Sequence, residues 1–298
     1  MSKIALLLAG KKGYEVLKAV IFLPEYKILT DVVSTRDDGV DNDFYQEISE
    51  LCAKSGISFH ERLSKTFSPE SYDGYLIAVG WRWLLPSGKK NLIIHDSILP
   101  EYRGFSPLVN SLINGENKIG ATVLYAAEDY DRGEIVAQST RPISYPITIS
   151  EAIVIMSEIY VQMVRDLFLV ICAKQKIHAV KQDESKATYS LWRDKDDYWI
   201  DWSWDSDKVE RFINAVGLPY AGARTHFNNE YAIIHSAQSV EDVDVIDRSS
   251  AIGKVIFLEN KCPIVVCGKG LLKITDIRSF DGKFLIPLEK FRTRFCKN

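Results

Sequence analysis

Short apolar runs that alternate with helical patterns are the feature of this sequence that most narrows its fold. The run Lys3–Leu8 is followed by a turn, Gly10–Gly13, and then by apolar residues at helical spacing as far as Val20. Similar runs recur at Tyr26–Val33 and Tyr75–Val79. Continuously apolar strands are typical of parallel sheets that helices cover on both faces. The sequence therefore predicts an α/β domain with a Rossmann-like, mostly parallel sheet.

A second domain is indicated where the composition changes. Residues Lys174–Lys186 are mostly polar, and a helix is then expected over Asp205–Val216. Short strand-like runs separated by glycines follow, and such spacing is typical of a small antiparallel barrel. We therefore predict two domains, 1–190 and 191–298, the second being mainly β and OB-like. The strand-like runs are Ala223–His226, Tyr231–His235, Val255–Leu258, Ile264–Val266 and Leu271–Ile277.

Charge and cysteine content disfavour several classes of function. The net charge of -3 over 298 residues gives no electrostatic footprint for nucleic acid. The five cysteines lack the spacing of a zinc site, so no metal site is predicted and a reducing compartment is expected. No apolar run reaches the roughly 20 residues that cross a bilayer, and the first residues do not resemble a signal peptide. We expect a soluble, cytoplasmic protein that does not bind membranes.

The stretch Asn91–Gly104 contains the strongest candidate for chemistry. An apolar strand is expected to end at His95, and a polar loop follows. Further along, Asp131 lies in a turn between two strand-like runs, Gly120–Tyr125 and Glu134–Gln138. In open α/β sheets, ligands bind beyond the carboxyl ends of the strands, where a histidine and a carboxylate suffice for proton transfer. A histidine after an apolar strand is also common as a structural group, so spacing alone leaves both interpretations open.

Two linked motifs resemble one enzyme family. His-Asp-Ser-Ile-Leu-Pro-Glu-Tyr-Arg-Gly, residues 95–104, resembles the His-x-Ser-Leu-Leu-Pro-x-x-Arg-Gly signature of formyltransferases that use N10-formyltetrahydrofolate. Asp-Arg-Gly-Glu-Ile, residues 131–135, resembles that family's Asp-x-Gly-x-Ile at the family's distance from the histidine. The segment Ala187–Trp202 is similar to the end of the catalytic domain in sugar N-formyltransferases, which are related to methionyl-tRNA formyltransferase.

The resemblance implies the reaction and the residues that serve it. A primary amine would attack the formyl carbon of the co-substrate N10-formyltetrahydrofolate, and tetrahydrofolate would leave. His95 would handle the amine proton and support the oxyanion, and Asp131 would maintain the tautomer and basicity of His95. The folate would be bound largely by backbone groups of two segments, which comprise Trp83, Leu84 and Leu85 in one turn and Ala127, Glu128, Asp129 and Tyr130 in the other.

Substrate binding is expected beside the histidine. Arg103 would either hold a substrate phosphate or hold its own loop, and the sequence leaves these two roles open. The other residues assigned to the substrate are Tyr102, Gly104, Asn110 and Arg193.

Ile93 departs from the family pattern. The family has asparagine two residues before the histidine, directed at the oxyanion, and here that position is isoleucine. Side chains alternate along a strand, so Ile93 is expected to share a face with His95. Losing one oxyanion donor costs on the order of 10²–10³ in rate in other acyl-transfer enzymes. Asn110, a backbone amide or a water could substitute. Alternatively, the chain could bind folate with weak or no catalysis, or release formate by hydrolysis.

The substrate favoured by the sequence is a nucleotide-linked amino sugar, as in lipopolysaccharide O-antigen biosynthesis, and initiator tRNA is the alternative. Transfer-RNA formyltransferases carry a basic loop in the early region where this chain has the acidic stretch Arg36–Asp43. Clustered positive charge is what binds phosphate backbones, so nucleic acid is not expected as a partner. A homodimer is a common default for soluble enzymes.

Overall fold

The computed structural model describes residues 2–227, 230–288 and 291–296. The chain divides into two compact units. The first unit comprises residues 1–108, 117–143 and 151–192, and the second comprises 109–116, 144–150 and 193–298. Among the described residues, every helix is too short or too polar to serve as a membrane span.

The helices and strands follow in chain order. The helices are α1 (Gly10–Val20), α2 (Tyr45–Ser55), α3 (Pro107–Asn114), α4 (Ile149–Cys172), α5 (Ser206–Val216) and α6 (Arg248–Ala251). The strands are β1 (Ile4–Leu8), β2 (Leu29–Ser34), β3 (Ser58–Glu61), β4 (Tyr75–Val79), β5 (Gly88–His95), β6 (Arg103–Gly104), β7 (Lys118–Ala126), β8 (Ile135–Pro142), β9 (Tyr189–Ser190), β10 (Ala223–Phe227), β11 (Glu230–Val240), β12 (Val255–Glu259), β13 (Cys262–Val266), β14 (Leu271–Ser279) and β15 (Phe295–Cys296).

The large sheet of the first unit has, within the described ranges, seven strands in the order β3-β2-β1-β4-β5-β7-β8. The strands from β3 to β5 pair in parallel, and β5, β7 and β8 pair antiparallel. All five residues of β1 are buried, as expected for the centre of a sheet with two covered faces. The order reverses between β1 and β4, so the carboxyl ends of these strands flank a topological switch point, where ligands bind in such sheets.

The second unit contains an antiparallel sheet whose strands, as far as the structure describes them, follow the order β12-β13-β14-β11-β10-β15. Alternate residues of β10 are buried, which is the pattern of a sheet with one covered face. Helix α5 covers part of this sheet with an apolar face that includes Val209, Phe212 and Ile213. The predicted fold class, a mostly parallel α/β domain followed by a small, mainly β domain, is confirmed, and the second sheet is a half-barrel.

Two predicted elements begin later than the sequence pattern indicates. The strand expected from Tyr26 begins at Leu29, because Pro24–Ile28 forms a 3-10 turn with proline at its start. An amphipathic pattern also predicts a helix over Asp41–Ser55, and the observed helix α2 begins at Tyr45. Asn42 and Asp43 accept hydrogen bonds from the amides of the residues two positions on, and such local bonds compete with helix formation.

Candidate active site

His95 is the last residue of β5 and lies at the carboxyl edge of the parallel strands. Its side chain is 8% exposed, and the residue pairs across the sheet with Thr122 of β7. Thr122 is buried, accepts from the amide of Leu99 at 3.1 Å and donates to the carbonyl of Ser97 at 2.7 Å. The residues that follow His95 are therefore folded back against the sheet by hydrogen bonds.

The two ring nitrogens of His95 face two different acceptors. Nε2 lies 2.9 Å from the carbonyl oxygen of Tyr102, and Nδ1 lies 3.4 Å from Oδ1 of Asp131. A carbonyl oxygen can only accept, so Nε2 carries a proton and donates it to Tyr102. Nδ1 is then the lone-pair nitrogen of the neutral ring. Its distance to Asp131 exceeds the usual hydrogen-bond range, and the carboxylate supplies the counter-charge when Nδ1 is protonated.

Asp131 is held in a strained turn between β7 and β8. Its φ is 57°, a left-handed conformation that is uncommon for residues other than glycine. The side chain is 9% exposed, and Oδ2 accepts from the amide of Gly104 at 2.8 Å. Gln182 donates to the carbonyls of Asp131 and Gly133 at 2.7 and 2.8 Å. The carboxylate is thus directed at His95 by contacts on both its side chain and its backbone.

Close packing at Gly133 explains why the Asp-x-Gly motif requires glycine at its third position. A Cβ at this position would lie 1.7 Å from the carbonyl oxygen of Tyr125, which no side chain tolerates. The amide of Tyr125 in turn donates to the carbonyl of Glu134 at 3.1 Å. The glycine therefore lets the Asp131 turn cross directly over the end of β7.

Arg103 is fully buried and donates only within the protein. Its side chain donates to Gln182, to both carboxylate oxygens of Glu184 and to the Tyr189 hydroxyl, at distances of 2.7 to 3.3 Å. These contacts use all five of its N–H groups. They favour the loop-holding role of Arg103 over the phosphate-binding role.

Glu184 accepts hydrogen bonds from two arginines, Arg103 and Arg132. Arg132 donates to it at 2.9 Å. Hydrogen bonds from Arg103 and then from Arg132 lower the pKa of Glu184 to about 2. The polar segment Lys174–Lys186, near the end of the first predicted domain, therefore contributes directly to the loop beside His95.

Tyr102 and Gly104 contribute to the site through their backbones. Tyr102 has a φ of 57°, and its amide donates to the Thr188 hydroxyl at 2.8 Å. Gly104 has a φ of 98°, and a Cβ there would lie 2.5 Å from the carbonyl oxygen of Ser190. The short parallel pair β6 and β9 fixes this geometry. Both residues hold the His95–Asp131 pair, and their assignment to substrate stays a prediction.

The residues assigned to folate fall into two segments of the first unit. In the turn after β4, Leu84 is 46% exposed, Leu85 is buried in the core, and the guanidinium of Arg62 lies 4.1 Å from the Trp83 ring. In the segment after β7, Ala127 is half-buried and residues 128–130 are exposed. The Tyr130 ring lies 5.4 Å from that of Phe105. Both segments follow strands that flank β5.

Ile93 lies in β5, two residues before His95, and offers no polar group. It is half-buried and packs on the apolar cluster that contains Ala78 and Leu85. Asn91 donates to the carbonyl of Pro86 at 2.7 Å. Asn110 accepts from Arg193 at 2.6 Å, and both of these residues belong to the second unit.

Three residues of the first unit, of which Tyr160 is buried and Lys12 and Asp96 are half-buried, were not predicted from the sequence. Lys12 forms an ion pair with Asp96, and the hydroxyl of Tyr160 lies 2.6 Å from Oδ1 of the same carboxylate. Asp96 is adjacent to His95 within the recognised motif, which was the available signal. Lys12 and Tyr160 lie on distant helices, and no local pattern connects them. In the described part of the chain, no group of histidine, cysteine and carboxylate side chains is arranged to hold a metal ion.

Comparison with known proteins identifies both regions of the chain. Residues 74–154 match the formyl transferase family, and residues 193–294 match the family described as formyl transferase, C-terminal domain. A methionyl-tRNA formyltransferase of Clostridium novyi is 28% identical over 260 residues, which cover 82% of this chain and 81% of that protein.

Two solved structures share the fold. An N-formyltransferase of Helicobacter canadensis, in complex with folinic acid and dTDP-3-aminofucose, matches with a TM-score of 0.65 and 15% identity, over 92% of this chain and 99% of that one. HypX of Aquifex aeolicus in complex with tetrahydrofolic acid matches with a TM-score of 0.58 and 20% identity. The match covers 93% of this chain and 44% of the HypX chain, and at these identities the likeness concerns the fold.

The two matched regions and the motifs that form the His95–Asp131 pair define a group-transfer enzyme, an N-formyltransferase. The chain belongs to the formyltransferase family.

Replacing Gly133 tests the geometry of the Asp131 turn. Gly133→Ala places a methyl group against the Tyr125 carbonyl, so we expect the free energy of unfolding to fall by about 2 kcal/mol or more. Urea denaturation measures this change. Gly39→Ala is the control, because Gly39 is exposed and a Cβ there meets only the Asp37 side chain, at 3.2 Å. Equal stability of the two variants would show that the turn is not constrained as described.

Acid titration tests the Arg103–Glu184 contact. The pKa of Glu184 in the folded state, about 2, lies below its ordinary value of 4.5. The ionised carboxylate therefore stabilises the fold above pH 4.5, and this contribution is lost as the pH falls toward 2. We expect the free energy of unfolding of Glu184→Gln to depend less on pH in this window than that of the wild type. Glu50→Gln, which removes a surface pair with Lys54, should retain the wild-type slope. A wild-type slope in Glu184→Gln would contradict the assignment.

Proposed function

We propose that this enzyme transfers the formyl group of N10-formyltetrahydrofolate to the primary amine of a nucleotide-linked amino sugar. The observation that carries the proposal is the buried His95–Asp131 pair at the carboxyl edge of the sheet. The family match supports formyl transfer as the reaction. Solved relatives of the same fold in complex with folates support the co-substrate.

Formyl transfer requires one proton to leave the amine and one to reach N10. The amine nitrogen attacks the formyl carbon, the carbonyl oxygen becomes an oxyanion, and collapse breaks the bond from carbon to N10. Nδ1 of His95 takes the amine proton, because the Tyr102 carbonyl keeps the other proton on Nε2. Asp131 stabilises the imidazolium that results, and His95 then returns the proton to N10. The family resemblance implied that Asp131 maintains the tautomer of His95. The contacts favour the Tyr102 carbonyl for that role.

Folate binding falls to the two segments beside the pair. The turn with Trp83, Leu84 and Leu85 offers backbone groups and aromatic faces, and the exposed segment from Ala127 to Tyr130 offers a second set. A flat, polar pterin needs this combination of apolar faces and fixed hydrogen-bonding groups. The two segments follow β4 and β7, the strands on either side of β5.

Some observations favour an amino sugar as the acceptor of the formyl group, and others favour initiator tRNA. The fold matches an N-formyltransferase in complex with a nucleotide sugar along nearly the whole of both chains, and the acidic stretch after β2 does not suit tRNA. However, Asp37 pairs with Arg82, and Asp43 pairs with Arg36 at 3.5 Å, so two of the acids are partly neutralised. The sequence similarity to methionyl-tRNA formyltransferases keeps initiator tRNA as the second candidate.

Assays with both acceptors test the proposal. Purified enzyme is incubated with N10-formyltetrahydrofolate and with either a dTDP-linked amino sugar or charged initiator tRNA, and formylated product is measured by mass spectrometry. Formylation of the sugar supports the proposal, and formylation of the tRNA alone supports the second candidate. Formate release without any amine would indicate hydrolysis, and folate binding without turnover would indicate a binding protein.

His95→Gln and Asp131→Asn test the acid–base pair directly. Each retains a polar side chain of similar size, and each should lower kcat by about 10²–10⁴-fold, the usual contribution of a positioned acid–base group. His60→Gln is the matched control, because His60 forms a similar pair with Asp31, at 2.9 Å, on the edge strand β3. A loss of less than threefold in both site variants would contradict the proposed roles.

Ile93→Asn tests whether a missing oxyanion donor limits the rate. An amide at this position shares the strand face of His95, so we expect kcat to rise by about tenfold, with some loss of stability from the apolar cluster. Ile93→Leu, which adds no donor, should not raise kcat. If the rate of Ile93→Asn stays the same or falls in protein that remains folded, another group already stabilises the oxyanion.

A further inference from the structure

We infer that Lys12, Asp96 and Tyr160 form a positioning network that sets the place and the charge environment of His95. The inference rests on the proposed function, since it concerns the rate of the same reaction. The three residues belong to three separate parts of the first unit: Lys12 lies in α1, Asp96 directly follows β5, and Tyr160 lies in α4. We refer to them below as the Asp96 network.

The Asp96 network surrounds one carboxylate. Lys12 forms an ion pair with Oδ2 of Asp96, and the Tyr160 hydroxyl lies 2.6 Å from Oδ1. The same hydroxyl lies 2.8 Å from the carbonyl oxygen of Ile94. The ammonium of Lys12 also lies over the Tyr160 ring, 5.3 Å from its centroid. Each member therefore contacts the other two.

Burial makes these contacts a fixed feature of the fold. Tyr160 is 1% exposed, and the side chains of Lys12 and Asp96 are 14% and 19% exposed. A buried polar group without a partner is costly, so each member depends on the others. Such networks hold a single geometry when every member is satisfied.

The contacts bracket His95 on both sides along the chain. Tyr160 holds the carbonyl of Ile94, the residue before His95, and the carboxylate of Asp96, the residue after it. One hydroxyl therefore contacts the residues on both sides of His95 in the chain. Asp131 and Tyr102 contact the ring itself. Separate contacts thus fix the chain on either side of the histidine and the ring itself.

The Asp96 network also places charges near the ring. Burial raises the pKa of Asp96, but the charge and hydrogen bond of Lys12, the Tyr160 hydroxyl and the charge of His95 outweigh burial, so the pKa lies below its ordinary value. Burial and the Asp96 charge raise the pKa of Tyr160 well above its ordinary value, so Tyr160 stays neutral. The charges near the His95 ring therefore come from the carboxylates of Asp131 and Asp96, and the ammonium of Lys12 lies beside Asp96.

Charge removal from either side of the ion pair should shift the pH–rate profile in opposite directions. The acidic limb of kcat/KM reports protonation of the free enzyme's base. Asp96→Asn removes a negative charge that favours the imidazolium, so the limb should move to lower pH by about half a unit. Lys12→Met leaves that negative charge uncompensated, so the limb should move to higher pH. Tyr160→Phe changes no charge, so it should lower kcat by about tenfold without moving the limb.

The experiment measures pH profiles of formyl transfer for the wild type, the three variants and Lys11→Met, the control lysine on the same helix turn. Circular dichroism and folate affinity confirm that each protein is folded. Opposite shifts of the limb support the inference, because a purely structural role would lower activity without opposite shifts. Unchanged profiles and rates in folded variants would overturn it. Absence of formyl transfer in the wild type would instead contradict the proposed function, so the two failures are distinguishable.

Discussion

The site depends on keeping a buried carboxylate beside His95. A carboxylate this far from water is costly unless hydrogen bonds and an opposite charge compensate for its lost hydration. Asp131 obtains one hydrogen bond from the Gly104 amide and its counter-charge from His95 when the ring is protonated. The donor is available only because the loop over 102–104 is fixed, and buried Arg103 fixes that loop through Gln182 and Glu184. The motif arginine therefore supports the His95–Asp131 pair through the backbone.

Backbone strain is concentrated around this pair. Tyr102, Ser106 and Asp131 all have positive φ values, and each lies within a few residues of a site contact. Such conformations persist only where the surroundings determine them. Here those surroundings are the pairing of β6 with β9, the contacts of Gln182 and the close passage of Gly133 over β7. These conformations lower the stability of the fold, and they direct Asp131 and the Tyr102 carbonyl at one imidazole.

Much of the fold and the central pair could be predicted from sequence, because both follow from local patterns. Apolar runs located β1 and β4, and motif spacing brought His95 and Asp131 together. The anchor of Arg103 could not be predicted, because Gln182 and Glu184 lie about 80 positions away in a segment whose composition resembles a linker. The partners of Asp96 were hidden for the same reason, since contacts between distant elements leave no periodic signal.

The most direct measurement is a crystal structure of the enzyme with 5-formyltetrahydrofolate, a stable analogue of the co-substrate. We expect the formyl group to lie beside the His95 ring and the Asp131 carboxylate, with the pterin against the backbone of residues 83–85 and 127–130. A folate bound away from His95, or an Asp131 carboxylate turned away from the imidazole in the complex, would contradict this expectation.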